Sequence, residues 1–460
     1  MKIPTTRLKL FLIITFSIST FYLINRHFLF HHIPSHTDTF VHESISSISI
    51  PTSLHHIFFS IASSSSSFPN RLPFLSLWYS PNSTRALLFL DKNPSFSPPI
   101  PYSISSDTSR FPYSFPRGHR SAIRVARIVK EVVDRNEPNV RWFVFGDDDT
   151  VFFKENLVGV LSKYDHEKWY YIGSNSESSE QNLRMSFGMA YGGGGFAISS
   201  PLAKALCKVM DSCLMRYPHL YGSDHRISSC ISELGVELTR EPGFHQVDVR
   251  GDLFGLLSAH PLSPLISLHH LELVDPIFPK KNRTKAVQHL FKAARVDSGR
   301  VLQQTVCYDH SSNLTVSVAW GYAIQVFEGN ILLPDILASQ RTFTPWRRRG
   351  INIASQYVFD TREYPQHPCK RPVVFFLEDV ASGTGNVWSK YRRHSTRNCS
   401  RNVAMDKLKD IRVFAKKRPR STGPVMAPRR ECCDIMHPFN RSMVIDIRQC
   451  GVNELIAMDT

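Results

Sequence analysis

The sequence predicts a mixed α/β domain between an N-terminal apolar segment and a β-rich C-terminal module. Two observations carry this prediction: strand, helix and strand patterns follow one another over residues 85–145, and alternating apolar runs recur after Val301. Strand–helix–strand order is typical of α/β folds with a largely parallel sheet and right-handed crossovers. The chain has 460 residues, of which 42% are hydrophobic, and this is enough for two or three domains of ordinary size.

The N-terminal segment predicts a membrane anchor. Residues 10–24 are apolar apart from hydroxyl groups, and basic residues but no acidic ones precede them. Extension to residue 30 gives a length that spans ~30 Å of hydrocarbon, and the basic flank favours a cytosolic N-terminus. A cleaved signal peptide, a transit peptide and a buried core helix are the alternatives, but there is no clean cleavage site and no amphipathic pattern. We predict a cytosolic tail at 1–7, a signal-anchor transmembrane helix at 8–30 and a stem at 31–50.

The regions beyond the anchor suit the lumen of the secretory pathway. Five N-x-S/T glycosylation acceptors follow the anchor, at Asn82, Asn282, Asn313, Asn398 and Asn440. All nine cysteines lie after residue 206 and form no metal-like spacing, so disulfides are favoured over a metal site. An odd number leaves at least one thiol free or paired between chains. Because Cys230 lies on the apolar face of a predicted helix that follows the helix of Cys213, a Cys213–Cys230 bond is the favoured pair.

Periodicity places the remaining elements. Strands are predicted at 55–61, 85–90, 140–145 and 169–173, and further strands lie at 314–320, 323–327 and 373–377. Helices are predicted to begin at Ser121, at Ser199 or Ser200, and at Ser223 or Asp224. We therefore divide the chain beyond the stem into an α/β domain at 51–278, a basic linker or surface helix at 279–300, and a β-rich module at 301–460.

The net charge of +16 admits nucleic acid, an anionic membrane or an acidic polymer as a partner. Basic residues become denser after Trp346, and a solvated basic face is favoured there over a binding patch. No aromatic–basic RNA motif is present, and nucleic acid is not the expected partner of a lumenal protein.

The acidic triplet Asp147-Asp148-Asp149 follows directly after a buried strand, where open α/β sheets place their ligand crevice. Adjacent carboxylates repel one another, and hard ions such as Mn²⁺ or Mg²⁺ take oxygen ligands and bridge to phosphate oxygens. An acidic turn that caps a helix is the alternative, whereas an EF-hand is disfavoured because its glycine and its final glutamate are absent. Apolar flanks on both sides place the triplet at the mouth of a core.

Three segments carry a family resemblance: residues 142–150 with the triplet, 191–197 with a run of four glycines, and Gly222-Ser223-Asp224. Together they resemble the fringe-like glycosyltransferases of the β-1,3 group, most closely the plant fringe-related family with a domain of unknown function. The similarity covers roughly residues 55–380. It implies that the α/β domain is a Rossmann-like, nucleotide-sugar-binding GT-A catalytic domain with a DxD-type metal site.

The resemblance also implies site residues. Asp149 is expected to be the main ligand of Mn²⁺ (or Mg²⁺) and Asp147 a further ligand, with Asp147 and Asp148 also helping to hold the nucleotide of a UDP-sugar. A late histidine usually completes the metal site, and His269 and His270 are the candidates, His269 being preferred; two ordinary histidines at a strand end are the alternative. The glycines Gly193, Gly194 and Gly195 are expected to let the backbone approach the donor or acceptor, the alternative being a flexible turn.

One position departs from the family pattern. Two consecutive aspartates usually follow the Gly-Ser pair, and the second is the expected catalytic base, but this chain has Asp224-His225. A histidine with an ordinary pKa near ~6.5 is able to accept the proton of an acceptor hydroxyl. Asp224 taking over the role, or a loss of transfer activity, are the alternatives.

The resulting expectation is an inverting, metal-dependent transferase of β-1,3 type. It would move a hexose or N-acetylhexosamine from a UDP-sugar to a hydroxyl of a glycan or glycoprotein. As a type II membrane protein it would face the Golgi lumen. The alternatives are a catalytically inactive fringe-like glycan-binding or scaffold protein, and a protein that attaches to acidic polysaccharide through its basic C-terminal region.

Overall fold

The computed structural model describes residues 51–347, 356–394, 399, 403–418 and 429–458, all within one compact unit. The predicted cytosolic tail, signal-anchor helix at 8–30 and stem lie outside these residues. Within the described part of the chain, no helix is both long and apolar enough to cross a membrane.

The strands of the first sheet and of the segments beside it are β1 (Ile57–Ala62), β2 (Arg85–Leu90), β3 (Tyr102–Ile104), β4 (Trp142–Asp147), β5 (Val151–Phe152), β6 (Tyr171–Gly173), β7 (Phe196–Ser199), β8 (Leu238–Arg240), β9 (Phe244–His245), β10 (Val249–Gly251) and β11 (Ser267–Leu268). The later strands are β12 (Gln304–Asp309), β13 (Leu314–Ala319), β14 (Ala323–Glu328), β15 (Ser339–Gln340), β16 (Phe343–Pro345), β17 (Thr361–Arg362), β18 (Val373–Ser382), β19 (Asn386–Arg393), β20 (Asp410–Lys416), β21 (Cys432–Met436) and β22 (Ser442–Arg448).

The described α-helices are α1 (Phe68–Trp78), α2 (Ser121–Asp134), α3 (Lys154–Leu161), α4 (Ser179–Arg184), α5 (Ser200–Arg216), α6 (Ser223–Glu233), α7 (Phe254–Ser258), α8 (Arg283–Asp297), α9 (Leu333–Leu337) and α10 (Val403–Lys407). The predicted starts of α2, α5 and α6 agree with these bounds. The sequence analysis did not predict α1.

The first sheet is mixed, with the strand order β3-β2-β1-β4-β7-β6-β8. Strands β3, β2, β1 and β4 are parallel, as predicted. Strand β7 is antiparallel to both β4 and β6, whereas β6 and β8 are parallel, so the sheet is largely parallel as expected and β7 is the exception. The four residues of β7 lie between the glycine loop and α5, and a run that short gives no periodic signal.

Helix α2 shows why the periodic elements form. Ile123, Ala126 and Val129 recur at helical spacing, and all three are buried. This face packs in one cluster with residues of α5 and α6 and of the first sheet. A disulfide between Cys213 and Cys230 joins α5 to α6, which confirms the favoured pairing.

The C-terminal strands form an eight-stranded sheet, in agreement with the predicted β-rich character. Its order is β12-β13-β14-β18-β19-β20-β22-β21, and neighbours are antiparallel except for β20 and β22. The two outermost strands contact each other and are joined by the disulfide Cys307–Cys433. The sheet therefore curls until its edges meet. Two more disulfides are Cys369–Cys399 and Cys432–Cys450, and Cys207 is the free, buried ninth cysteine.

The segment predicted as a linker or surface helix, 279–300, contains α8. One face of α8 is buried, through residues such as Val287, Leu290 and Ala293. A single hydrophobic cluster includes residues of β1, β5 and β11 together with residues of β13, β14 and β19. The domain boundary at this segment stays a prediction.

The long-range disulfide is expected to stabilise the fold more than a short-range one. Cys307 and Cys433 are 126 residues apart, against 18 for Cys432 and Cys450. A cross-link restricts the unfolded chain more strongly when it closes a longer loop, and the effect grows with the logarithm of the loop length. The double variant Cys307→Ala/Cys433→Ala should therefore lose about 4 to 5 kcal/mol of unfolding free energy, and Cys432→Ala/Cys450→Ala about 3 kcal/mol. Urea unfolding followed by circular dichroism measures both. A larger loss for the short loop would contradict this ranking.

Candidate metal and donor site

The acidic triplet lies at the end of β4, beside the end of β1. The parallel register pairs Ala62 with Asp147, so the serine tract that follows β1 lies next to the triplet. The Oδ2 atom of Asp148 accepts hydrogen bonds from the hydroxyls of Ser63, at 2.6 Å, and Ser67, at 2.8 Å. Asp148 is therefore turned toward the serine tract.

A small three-stranded sheet brings His269 to the triplet. Strand β11 pairs with β5 in antiparallel fashion and with β9 in parallel, and Leu268 is registered with both Val151 and His245. Because β11 and β5 run in opposite directions, the residue that follows Leu268 lies opposite the residue that precedes Val151. His269 therefore lies beside the end of the acidic triplet, just before β5. Neither β5 nor β11 is long enough to reveal this pairing in the sequence.

Asp147, Asp149 and His269 converge. The Nε2 atom of His269 lies 3.0 Å from Oδ1 of Asp149 and 3.8 Å from Oδ2 of Asp147. One ligand atom from each residue lies within 4.8 Å of the others. Two carboxylate oxygens and one imidazole nitrogen are a donor set that suits Mn²⁺ and fits Mg²⁺ less well, because Mg²⁺ prefers oxygen alone.

The glycine loop packs directly on His269. A Cβ atom at Gly193 would meet the imidazole ring at 2.1 Å, so no other residue fits without moving the ring. The Thr150 hydroxyl donates to the Gly193 carbonyl at 2.7 Å, and the side-chain oxygen of Gln246 accepts from the Gly194 N–H at 2.7 Å. Gly195 has a positive φ of 82°. The loop is thus tied to the end of β4 and to the small sheet.

The charges at the site influence one another. Burial raises the pKa of Asp147 to about 7, with neighbouring carboxylates adding to the rise, even though 43% of its side chain is exposed at the cleft mouth. Burial would also raise the pKa of Asp149, but His269 and Arg71 hold it well below its usual range. Burial opposes protonation of His269, yet Asp149 and Asp147 raise its pKa to about 9. Asp149, His269 and Arg71 therefore stabilise one another in their charged forms.

Arg71 supplies a second cation that the sequence analysis missed. This residue, on α1, forms ion pairs with Asp149 and, at 2.6 Å, with Glu272. Pro73 lies inside α1 and hides its helical pattern, because proline in the interior of a helix usually breaks it, whereas Pro69 lies in the first turn, where proline is tolerated. The only available signal is the spacing of apolar residues such as Phe68 and Leu75.

A cleft of about 340 Å³ opens at this point. Its lining combines the serine tract, the triplet, both histidines and two arginines: Ala62, Ser63, Ser64, Ser67, Arg71, Arg124, Val125, Asp147, Asp148, Asp149, His269, His270, Glu272 and Leu273. Arg124 is held in place by donating to the carbonyl oxygen of Ser63 at 2.8 Å.

The structure places His270 apart from the carboxylates of the triplet. Its ring stacks on Trp346, with ring centroids 4.5 Å apart and an angle of 7° between the planes. Its Nδ1 atom lies 3.7 Å from Oδ1 of Asp248, and burial and His269 lower the pKa of His270 to about 3. Of the two candidate histidines, His269 is the one in contact with the triplet.

Asp224 and His225 point to different surroundings at the start of α6. The Oδ2 atom of Asp224 accepts from the Gly192 N–H at 3.1 Å, which places this carboxylate beside the glycine loop. His225 is half-buried, and burial lowers its pKa, while Asp224 opposes the fall. Adjacent helical residues project about 100° apart, so the two side chains leave the helix in different directions.

Two family models match the chain. One is described as fringe-like and covers residues 52–253, and the other, a protein of unknown function termed DUF604, covers residues 181–433, which is over half of the chain. The chain belongs to this fringe-related DUF604 family. The match confirms the family resemblance in residues 142–150 and 191–197, while the plant branch stays a prediction.

The chain is also similar to two curated glycosyltransferases. The beta-1,3-glucosyltransferase of Mus musculus is 27% identical over 164 residues, which are 35% of this chain and 31% of that protein. The Homo sapiens protein of the same name is 27% identical over 171 residues, 35% of this chain and 30% of that protein. The chain thus spans about a third of the length of these relatives. A crystal structure of a glycosyltransferase involved in the glycosylation of the major capsid of PBCV-1 matches with 10% identity, over 50% of this chain and 98% of that one, at a TM-score of 0.25, too low to support an argument.

Substitution of Gly193 tests the packing of the loop on His269. Gly193→Ala should destabilise the protein by roughly 1–3 kcal/mol, because the new methyl group must displace a buried ring. Gly159→Ala is the matched control: this glycine lies in α3 with nothing within 4 Å of the added methyl group, so the change should be neutral or slightly stabilising. Thermal unfolding measures both, and equal stability of the two variants would refute this packing.

Proposed function

We propose that this member of the fringe-related family is a metal-dependent inverting glycosyltransferase. It transfers a hexose or N-acetylhexosamine from a UDP-sugar to a hydroxyl group of a glycan or glycoprotein. The observation that carries the proposal is the convergence of Asp147, Asp149 and His269 at the mouth of a cleft, in a chain similar to glycosyltransferases.

The residues of the cleft suit a nucleotide diphosphate. Asp149 and His269, with Asp147 at the mouth, are the residues that would hold Mn²⁺. Bound there, the ion would neutralise the charge that builds up on the departing diphosphate. Arg71 and Arg124 add fixed positive charge to the cleft wall. The hydroxyls of Ser63 and Ser67 hold Asp148 in one orientation, in which it helps to position the nucleotide.

Asp224 is the group that we assign as the base. Its carboxylate lies beside the glycine loop, and the same loop touches His269 through Gly193. A carboxylate there is able to accept the proton of an acceptor hydroxyl as its oxygen attacks the anomeric carbon from the face opposite the diphosphate. The configuration of that carbon is then inverted, and a β-1,3 linkage is the product we expect.

The site also supports an alternative function. His225, on α6, replaces the second aspartate of the family pattern, and burial is the main cause of its lowered pKa. A protein that binds a UDP-sugar without transferring it is therefore the second candidate. Restored transfer by His225→Asp would identify that case.

The proposed location is the Golgi membrane. The apolar segment at 8–30 serves as a signal anchor, with the described residues on the lumenal side. The four disulfides of the described chain suit that oxidising compartment.

Removal of the central carboxylate tests metal dependence. In the purified chain, Asp149→Asn should lower Mn²⁺-dependent transfer from a panel of UDP-sugars by roughly 10²-fold or more, because the loss of preorganised charge stabilisation raises the barrier. It should also abolish the rise in unfolding temperature that Mn²⁺ causes in the unsubstituted chain by mass action. The control Asp165→Asn changes an exposed carboxylate outside the cleft and should leave both properties intact. Equal turnover by Asp149→Asn and the unsubstituted chain would refute the proposal.

The identity of the base is tested separately. Asp224→Asn keeps the side-chain shape and an oxygen for the Gly192 N–H, but removes the proton acceptor, so transfer should fall by about 10²- to 10⁴-fold. UDP-sugar binding, followed by isothermal titration calorimetry, should persist. His225→Gln should retain transfer. The opposite pattern, with His225→Gln inactive and Asp224→Asn active, would assign the role to His225.

A further inference from the structure

The outer face of the eight-stranded sheet carries two exposed aromatic side chains. Along β19 and β20, alternate residues such as Val387, Tyr391 and Val413 are buried against the core, and the residues between them face outward. Most outward residues are polar, but Trp388 is 37% exposed and Phe414 is 42% exposed. Large apolar side chains on an otherwise polar face are typical of a binding surface.

The two aromatic residues are neighbours across the strands. Trp388 is registered directly opposite Phe414 in the antiparallel pairing of β19 with β20. Residues in that relation have Cβ atoms about 4.5–5.5 Å apart, so the two side chains are neighbours on one face of the sheet. Trp388 and Phe414 together are called the aromatic strip below.

Basic residues flank the aromatic strip. Arg412 and Lys416 lie two residues on either side of Phe414, on the same face of β20, and both are exposed. The nearest described carboxylate to the Arg412 guanidinium is that of Asp410, at 4.0 Å, a weak contact that leaves the head group accessible.

Acidic residues offset part of this charge. Glu378 pairs with Lys390, at 3.0 Å, and with Arg392, and Asp446 lies opposite Phe414 on β22. Lys390 is as near to Trp388 as Arg412 and Lys416 are to Phe414, but it is paired with Glu378. Arg412 and Lys416 are therefore the cations beside the aromatic strip that have no close ion pair among the described residues.

We propose that the aromatic strip, with Arg412 and Lys416, binds a polysaccharide that carries carboxylate groups. The C–H faces of pyranose rings stack on flat aromatic side chains, and the two cations are placed to meet uronic acid carboxylates of the same polymer. The strip belongs to a different sheet from the triplet, and its function does not depend on transfer activity. It offers a way to keep the chain on a polymer of repeated acidic sugars.

The test measures binding of the full chain to polygalacturonate, with the fully methyl-esterified polymer as the uncharged comparison. The unsubstituted chain should bind the acidic form more tightly, and the difference should shrink as salt is added. Trp388→Ala should weaken binding by about tenfold or more. Trp169→Ala is the matched control, because Trp169 is 44% exposed at a distant place in the sequence, just before β6, and this variant should bind normally. Arg412→Gln/Lys416→Gln should remove most of the preference for the acidic form.

Several outcomes would overturn the inference: no binding by the unsubstituted chain, equal binding by Trp388→Ala, or equal affinity for the acidic and esterified polymers. Thermal unfolding of each variant separates a lost contact from a lost fold. Asp149→Asn should bind the polymer normally, so a failure of the proposed transfer reaction and a failure of the aromatic strip give distinguishable results.

Discussion

The contact between His269 and Asp149 is the interaction on which the candidate site depends, and strand register creates it. The two residues are 120 positions apart in the sequence. They meet because β11 pairs with β5 in antiparallel fashion, so the residue after one strand reaches the residues before the other. Gly193 then closes the arrangement, since its missing side chain is the space that the imidazole ring occupies. Any change in this register would separate the imidazole from both carboxylates.

Polar and charged partners reduce the free-energy cost of placing the three carboxylates of the triplet together in a cleft. Three adjacent carboxylates in a cleft repel one another, and each is given a separate partner: Asp148 accepts from two serine hydroxyls, Asp149 faces Arg71 and His269, and Asp147 keeps contact with water. The positive charges of His269 and Arg71 offset the repulsion between the carboxylates. The same arrangement leaves the cleft ready for the negative charge of a diphosphate.

The α/β region and the β-rich region share one hydrophobic core, so the second sheet supports the site as well as extending the molecule. Residues of β5 and β11, which fix the triplet and His269, pack in the same cluster as residues of β13 and β14. The outer face of that sheet stays available, because only alternate residues of β19 and β20 are needed for the core. The side chains of the aromatic strip lie on this outer face because they alternate along β19 and β20 with the buried ones.

The sequence by itself determined the elements with strong periodicity and the identity of the acidic triplet. Helix α2, strands β1, β2 and β4, the strand-rich C-terminal region and the Cys213–Cys230 pair all follow from local patterns of apolar residues. Only the tertiary structure showed the contact of His269 with the triplet, brought Arg71 into the cleft and turned Asp224 toward the glycine loop. The physical reason is that these placements depend on two-residue strands, a proline-containing helix and backbone contacts between distant segments. None of these leaves a periodic pattern in the chain, since their geometry is fixed by packing between elements rather than within one.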